Sequence, residues 1–221
     1  MSPTSAIVLL WIGFAATHMG LSTAAVRRSL VARLGETGFL GLYSLVAFAF
    51  FVPLVWTYFT HKHAGMLLWS IPVGPALRWG IYAGMTVAFT LVFAGIVRPS
   101  PASITPGEAT PRGALRLTRH PLVMGLGLFG LLHLIANGHA ADVAFFSGFP
   151  LFAVIGCWHQ ERRKLVSGPP GFAAFLQATP FLPFTGSATL QGIRELGPLV
   201  LLGGLALTSI LRWFHPVWFG G

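Results

Sequence analysis

Residues 6–28 read AIVLLWIGFAATHMGLSTAAVRR. From Ala6 to Val26 the only titratable side chain is His18, and the run then meets Arg27 and Arg28. About 21 residues at a helical rise of about 1.5 Å span roughly the 30 Å of a hydrocarbon core. No basic residue precedes the run, as a secretory leader would need, and the arginine pair is a stop-transfer flank. The segment therefore reads as a retained transmembrane helix.

Five further apolar stretches follow, over 38–59, 79–97, 121–137, 143–158 and 196–214, beside this first one over 6–26. The fourth and fifth are short and separated only by Asn137-Gly138-His139-Ala140-Ala141-Asp142, which predicts an antiparallel helical hairpin buried in the bundle. Of fourteen Lys and Arg, Lys62, Arg78 and Arg212 fall on one side of these spans. The other eleven (Arg27, Arg28, Arg33, Arg98, Arg112, Arg116, Arg119, Arg162, Arg163, Lys164 and Arg194) fall on the opposite side. The positive-inside rule makes that side cytoplasmic, predicting six helices with the N-terminus outside. The fold class expected is an all-α, polytopic six-helix bundle forming one integral membrane domain over 1–221.

Composition agrees. Of 221 residues 54% are hydrophobic and 9% charged, with a mean hydropathy of +0.74. Soluble domains carry roughly a quarter charged residues, so a soluble enzyme and a disordered chain are excluded. Topology accounts for the net charge of +9, and no nucleic-acid partner is expected. The single cysteine, Cys157, excludes an internal disulfide and reads as a buried structural thiol. The loop 98–118 and the Pro-rich segment 167–192 are expected to be irregular, with Phe172, Phe175, Phe181 and Phe184 dipping into the headgroup region.

Ionisable side chains inside spans are costly and mark function. Two stand out, His18 and His133. A neutral imidazole in a bundle needs a hydrogen-bonding partner or a metal, and histidine is also the usual proximal ligand of haem iron. Gly130 and Gly127 strip the helix face before His133 of bulk, leaving room either for a flat macrocycle or for close helix packing. His18 lies about 18 Å below the outer end of its span and His133 about 20 Å above the cytoplasmic end of its own, so their depths differ by several Å.

A second group lies at the cytoplasmic edge. Arg119-His120-Pro121 opens the fourth span and His159-Gln160-Glu161 follows the fifth, so the hairpin should bring Arg119 and His120 near His159 and Glu161. Pro121 suits the first turn of a helix. A cation pair beside a carboxylate also suits an anionic group such as a haem propionate. His61, His63, His139 and His215 fall in outer loops, where solvated histidine is ordinary.

The run Arg119-His120-Pro121-Leu122-Val123-Met124-Gly125, with His133-Leu134-Ile135-Ala136-Asn137-Gly138, resembles the NnrU family of bacterial membrane proteins linked to denitrification. His18-Met19-Gly20-Leu21-Ser22, Leu34-Gly35-Glu36 and Gly41-Leu42-Tyr43-Ser44-Leu45 fit the same pattern, over about 6–165. The family is related to 15-cis-ζ-carotene isomerase, a haem b membrane enzyme, which shares a loop like His61-Lys62-His63-Ala64-Gly65-Met66-Leu67-Leu68-Trp69. The resemblance implies haem b with His18 and His133 as iron ligands and catalytic residues. It also implies Gly130, Arg119 and His120 around the cofactor, and a hydrophobic polyene drawn from the bilayer lipid. Gly130 stands where the isomerase has a cysteine. The resemblance further implies an accessory role in nitrite or nitric oxide reduction as the alternative, and a bacterial inner membrane as the location. Arg119-His120-Pro121, Glu161, Gly171-Phe172 and Pro180-Phe181 also resemble isoprenylcysteine carboxyl methyltransferases, which bind S-adenosylmethionine; here the acidic and aromatic pattern is reduced to Glu161 with Phe172 and Phe175.

Overall fold

The computed structural model describes residues 1–103, 107 and 109–219. Among them are nine helices: α1 (Pro3–Ser22), α2 (Ala24–Thr60), α3 (Pro75–Val97), α4 (Ala114–Leu117), α5 (Pro121–Ala136), α6 (Ala140–Ser167), α7 (Phe172–Ala178), α8 (Thr189–Arg194) and α9 (Pro198–Trp218). Part of the 98–118 loop, residues 104–106 and 108, lies outside the described residues, as do 220 and 221.

Five helices, α1, α2, α3, α6 and α9, are long and apolar enough to cross a membrane. α5, with 16 residues, is not: at about 1.5 Å per residue it reaches roughly 24 Å, short of a 30 Å core. Its place explains how so short a helix is accommodated, because it packs between α3 and α6.

The largest departures from the sequence reading are three. α2 begins at Ala24, and the chain turns within it at Gly35, whose φ of +72° is open to glycine at little cost. The basic segment 27–34 is thus a helical leg set off from the span, tied back across the turn by the Arg27–Glu36 ion pair. α6 runs to Ser167 rather than 158, carrying Glu161, Arg162, Arg163 and Lys164 as a helical extension of the span. The segment 167–192 holds α7, and it buries Phe172 and Phe175 against Ala102 and Leu115 rather than offering them to lipid.

The six longer helices pack in the spatial order α9, α3, α5, α6, α1, α2. Successive ones in the chain run in opposite directions. Gly13 of α1 faces Phe50 of α2, while Tyr43 of α2 bonds the His18 carbonyl. Gly130 of α5 faces Phe146 and Gly127 faces Ala153 of α6. α1 and α6 run parallel: Trp11 donates to the Phe145 carbonyl and Ser22 meets His159. Both chain ends consequently lie at one end of the bundle, where Lys62 bonds the Phe219 carbonyl and Thr4 approaches Gly65. This terminal end holds the main apolar core, with Ile7, Trp11, Leu54, Tyr58, Phe145 and Phe146. The opposite, basic end carries the arginine-rich connections.

The basic end is capped by α4, α7 and α8. Arg119 N–H donates to Pro180 O, Thr118 Oγ1 to Phe181 O and Phe184 N–H to Leu117 O, so the loop after α7 adds a backbone seam to the strand of chain entering α5.

Candidate functional site

At the basic end a cavity of about 650 Å³ opens among α1, α2, α3, α5 and α6. That volume is within the usual range of about 300–1,000 Å³ for small-molecule sites. His18, Tyr43, Ile96, His120, Cys157 and Arg163 are among its walls. α2 and α3 both line it, yet they make no close backbone approach to each other. The helical row therefore curves around the cavity, with α2 and α3 on either side of it.

His18 stands four residues before the end of α1. Its ring packs on Tyr43 at 4.4 Å, Phe14 at 5.2 Å and Phe152 at 5.4 Å. These faces are apolar, and buried Nδ1 has no hydrogen-bond partner among the described residues. Arg163 Nε, on the same cavity, is likewise buried and unpartnered. Unsatisfied buried polar atoms cost about 1–3 kcal/mol each and call for a functional reason.

His133 is placed differently. Three residues from the end of α5, it stands towards the terminal end and does not line the cavity. Its Nδ1 donates to Phe129 O at 2.9 Å, the tautomer that leaves Nε2 free, and its ring stacks on Phe146 at 4.4 Å. His18 leans on Phe152 of α6 and His133 on Phe146, levels about 9 Å apart along that helix. Between them run Phe14, Trp11, Phe149 and Phe129, each ring 4.2–5.8 Å from the next. Histidine–metal bonds are about 2 Å long, which puts two axial nitrogens about 4 Å apart. An iron shared by His18 and His133 does not fit this arrangement, whereas His18 alone, with an orphaned ring nitrogen on a cavity wall, fits a ligand or iron.

Gly130 makes no bay for a macrocycle. A Cβ there would stand 2.5 Å from the Phe146 carbonyl oxygen, 2.8 Å from Phe149 Cβ and 2.9 Å from Pro150 Cδ. The stripped face of α5 is filled by α6, the close-packing alternative.

Arg119 and His120 meet Glu161, as the hairpin required. Arg119 holds the carboxylate through Nε–Oε1 at 2.5 Å and Nη2–Oε2 at 3.1 Å, and its Nη1 donates to Leu176 O and Thr179 O. His120 Nε2 lies 2.7 Å from Glu161 Oε1. His159 is elsewhere, on Ser22 Oγ at 3.2 Å. The guanidinium and carboxylate are thereby spent on each other and on the α7 cap, so this trio positions the basic-end cap and has little capacity left for a propionate or for S-adenosylmethionine. The buried, unpartnered guanidinium nitrogen on the cavity belongs instead to Arg163, not to the Arg119 that the sequence reading put at the anionic edge. Nothing in the spacing distinguishes Arg162, Arg163 and Lys164; only helix phase does.

At the terminal end the loop histidines are not simply solvated. His63 and His139 converge on Asp142, which is wholly buried. His139-x-x-Asp142 at a helix start and the neighbouring His61-x-His63 are the sequence signals that this site offered.

The geometry describes a multi-pass integral membrane protein whose cavity is walled by five of its helices. The match to the family model "NnrU protein" covers residues 6–221, and the chain belongs to the NnrU family. It is also similar to 15-cis-ζ-carotene isomerase of Arabidopsis thaliana, with 24% identity over 99% of this chain and 62% of that protein. The Zea mays enzyme of the same name is 24% identical over 86% of this chain and 52% of its own length. The chain thus spans little more than half the length of these relatives. Both are chloroplastic, which lends the bacterial inner membrane no support; a multi-pass membrane protein is what helices and relatives share. No solved structure matches the chain.

Proposed function

We propose that this protein is a carotenoid isomerase-like membrane enzyme that acts on the cis double bond of a hydrophobic polyene admitted from the bilayer between α2 and α3. The observation that carries the proposal is the cavity that separates α2 from α3 and, on its wall, the buried and unpartnered ring nitrogen of His18. A polyene is soluble in the bilayer and not in water, so lateral entry at membrane depth is the route its chemistry allows. Phe14, Tyr43 and Phe152 around His18 offer flat apolar surface to a conjugated chain. The six-span, N-outside topology belongs to the same reading: the basic end faces the cytoplasm by the positive-inside rule, and α5 is carried by its neighbours.

The proposed cofactor is haem b ligated by His18, with Arg163 in place of Arg119 for its anionic edge. Bound there, haem would supply a redox-active iron next to the conjugated ligand. The protein's part is to orient the imbedded imidazole by its three aromatic neighbours, to leave Nδ1 unspent, and to exclude water from the apolar wall.

The test combines a spectrum and a conversion. Detergent-purified wild type is expected to show a haem b spectrum, lost in His18→Ala and kept in His133→Ala. In vesicles kept dark, the wild type should convert 15-cis-ζ-carotene and His18→Ala should not. Loss of haem in both variants would overturn the single-ligand assignment in favour of the pair. Haem-loaded wild type that leaves the polyene unchanged would refute the isomerase proposal.

A further inference from the structure

The terminal end carries a second constellation, remote from the cavity. The carboxylate of Asp142, in the first turn of α6, accepts the His63 backbone N–H on Oδ1 at 3.1 Å. Its Oδ2 faces two imidazoles, His63 Nδ1 at 2.9 Å and His139 Nδ1 at 3.7 Å. The three ligand atoms all lie within 4.8 Å of one another. They come from two separate parts of the chain, held in place by Ala141 N–H to Ala64 O, Ala140 N–H to Met66 O and Leu68 N–H to Gly138 O.

We propose that His63, His139 and Asp142 form a binding site for a divalent transition-metal ion of the zinc class at the end of the bundle that holds both termini. Metal–ligand bonds of about 2.0–2.2 Å place neighbouring ligand atoms roughly 3.0–3.5 Å apart. The observed 2.9 and 3.7 Å bracket that spacing. Only His139 must swing to close it, and its side chain is 35% exposed and makes no hydrogen bond among the described residues.

Three features favour an ion over a loop contact. Asp142 Oδ2 serves both imidazoles: His63 Nδ1 bonds it at 2.9 Å, while His139 Nδ1 stands at 3.7 Å, beyond hydrogen-bond reach but within the space one shared ion would fill. His63 adopts φ +57°, a left-handed conformation that costs a non-glycine residue energy and turns its ring onto the carboxylate. The carboxylate is sealed from solvent while the His63 and His139 side chains are 56% and 35% exposed. Ions can thus enter from the water side, and the remaining coordination positions would be taken by water. Two imidazoles and one carboxylate suit zinc or a similar transition ion, and are too nitrogen-rich for calcium or magnesium, which take oxygen. A bound ion would clasp the loop after α2 to the start of α6, closing the terminal end.

The experiment uses the full chain, free of any histidine tag, in lipid nanodiscs after chelator treatment. Titration with zinc chloride by calorimetry, at a slightly alkaline pH because protons compete with metal for its ligands, is expected to give one ion per chain. Cobalt(II) should give a visible d–d band at the same stoichiometry. His139→Ala and His63→Ala should each weaken zinc binding by at least about tenfold, the loss that even outer partners of a metal site cause, while His61→Ala should not. Zinc should raise the Tm of wild type and not of His139→Ala. Equal affinity in wild type and His139→Ala, or no saturable binding, would overturn the site. Because the His139 side chain makes no hydrogen bond among the described residues, its alanine variant should keep the metal-free Tm; if it does not, His139→Gln carries the comparison.

Discussion

Gly130→Ala puts the α5–α6 seam to a direct test. The added methyl would stand 2.5 Å from the Phe146 carbonyl oxygen and 2.8–2.9 Å from Phe149 Cβ and Pro150 Cδ. None of the three is the tip of a flexible side chain, so relief requires the two helices to part by several tenths of an ångström. A gap of about 0.5–1 Å forfeits a quarter to a half of each dispersion contact along the seam, and overpacking of this kind costs about 1–3 kcal/mol. For a chain of this size, about 2–4 °C per kcal/mol gives a fall in Tm of roughly 2–12 °C. Gly41→Ala on α2 is the control, because nothing lies within 4 Å of its Cβ position. There alanine should stabilise by about 0.5–1 kcal/mol through helix propensity. The assay is thermal unfolding of both variants in one detergent at one scan rate. A Gly130→Ala protein as stable as wild type would refute the reading of this glycine as a packing residue, and would reopen its face to a ligand.

Glu161→Ala leaves Arg119 and His120 buried without their shared carboxylate, at a cost of about 3–5 kcal/mol. The yield of monodisperse protein and its Tm should both fall, with Glu161→Gln intermediate. Acid should also weaken the basic-end cap. Burial holds the His120 imidazole below its ordinary value, although Glu161 pulls the other way. The unfolded chain therefore binds a proton at His120 that the native state refuses, and this contribution to stability declines as pH falls below about 6.5. His120→Gln should flatten the slope of Tm against pH between about 7 and 5; an unchanged slope would count against the assignment.

Much of the fold was legible because membrane spans are written in one dimension. Residues 6–26 and the arginines after them suffice for a helix and its flank, since no water in the bilayer core would satisfy an open backbone. The α5–α6 hairpin was equally plain from its short polar turn, and with it the meeting of Arg119, His120 and Glu161. What those residues do on meeting was not. Arg119 spends its donors on Glu161, Leu176 and Thr179, and two of these partners come from a segment that sequence alone read as irregular.

Sequence by itself determined the material: the apolar helices, the side on which the basic residues gather, and His18 as a titratable group inside a span. Tertiary structure decided the partners. It set His18 and His133 at different levels with four aromatic rings between them, gave the Gly130 face to α6, and turned the cavity towards Arg163. It also brought His63 onto Asp142 across seventy-nine positions of chain. Hydropathy is a sum over neighbours in sequence, whereas a site is a matter of helix phase, tilt and register. Those are fixed only when side chains interlock between helices.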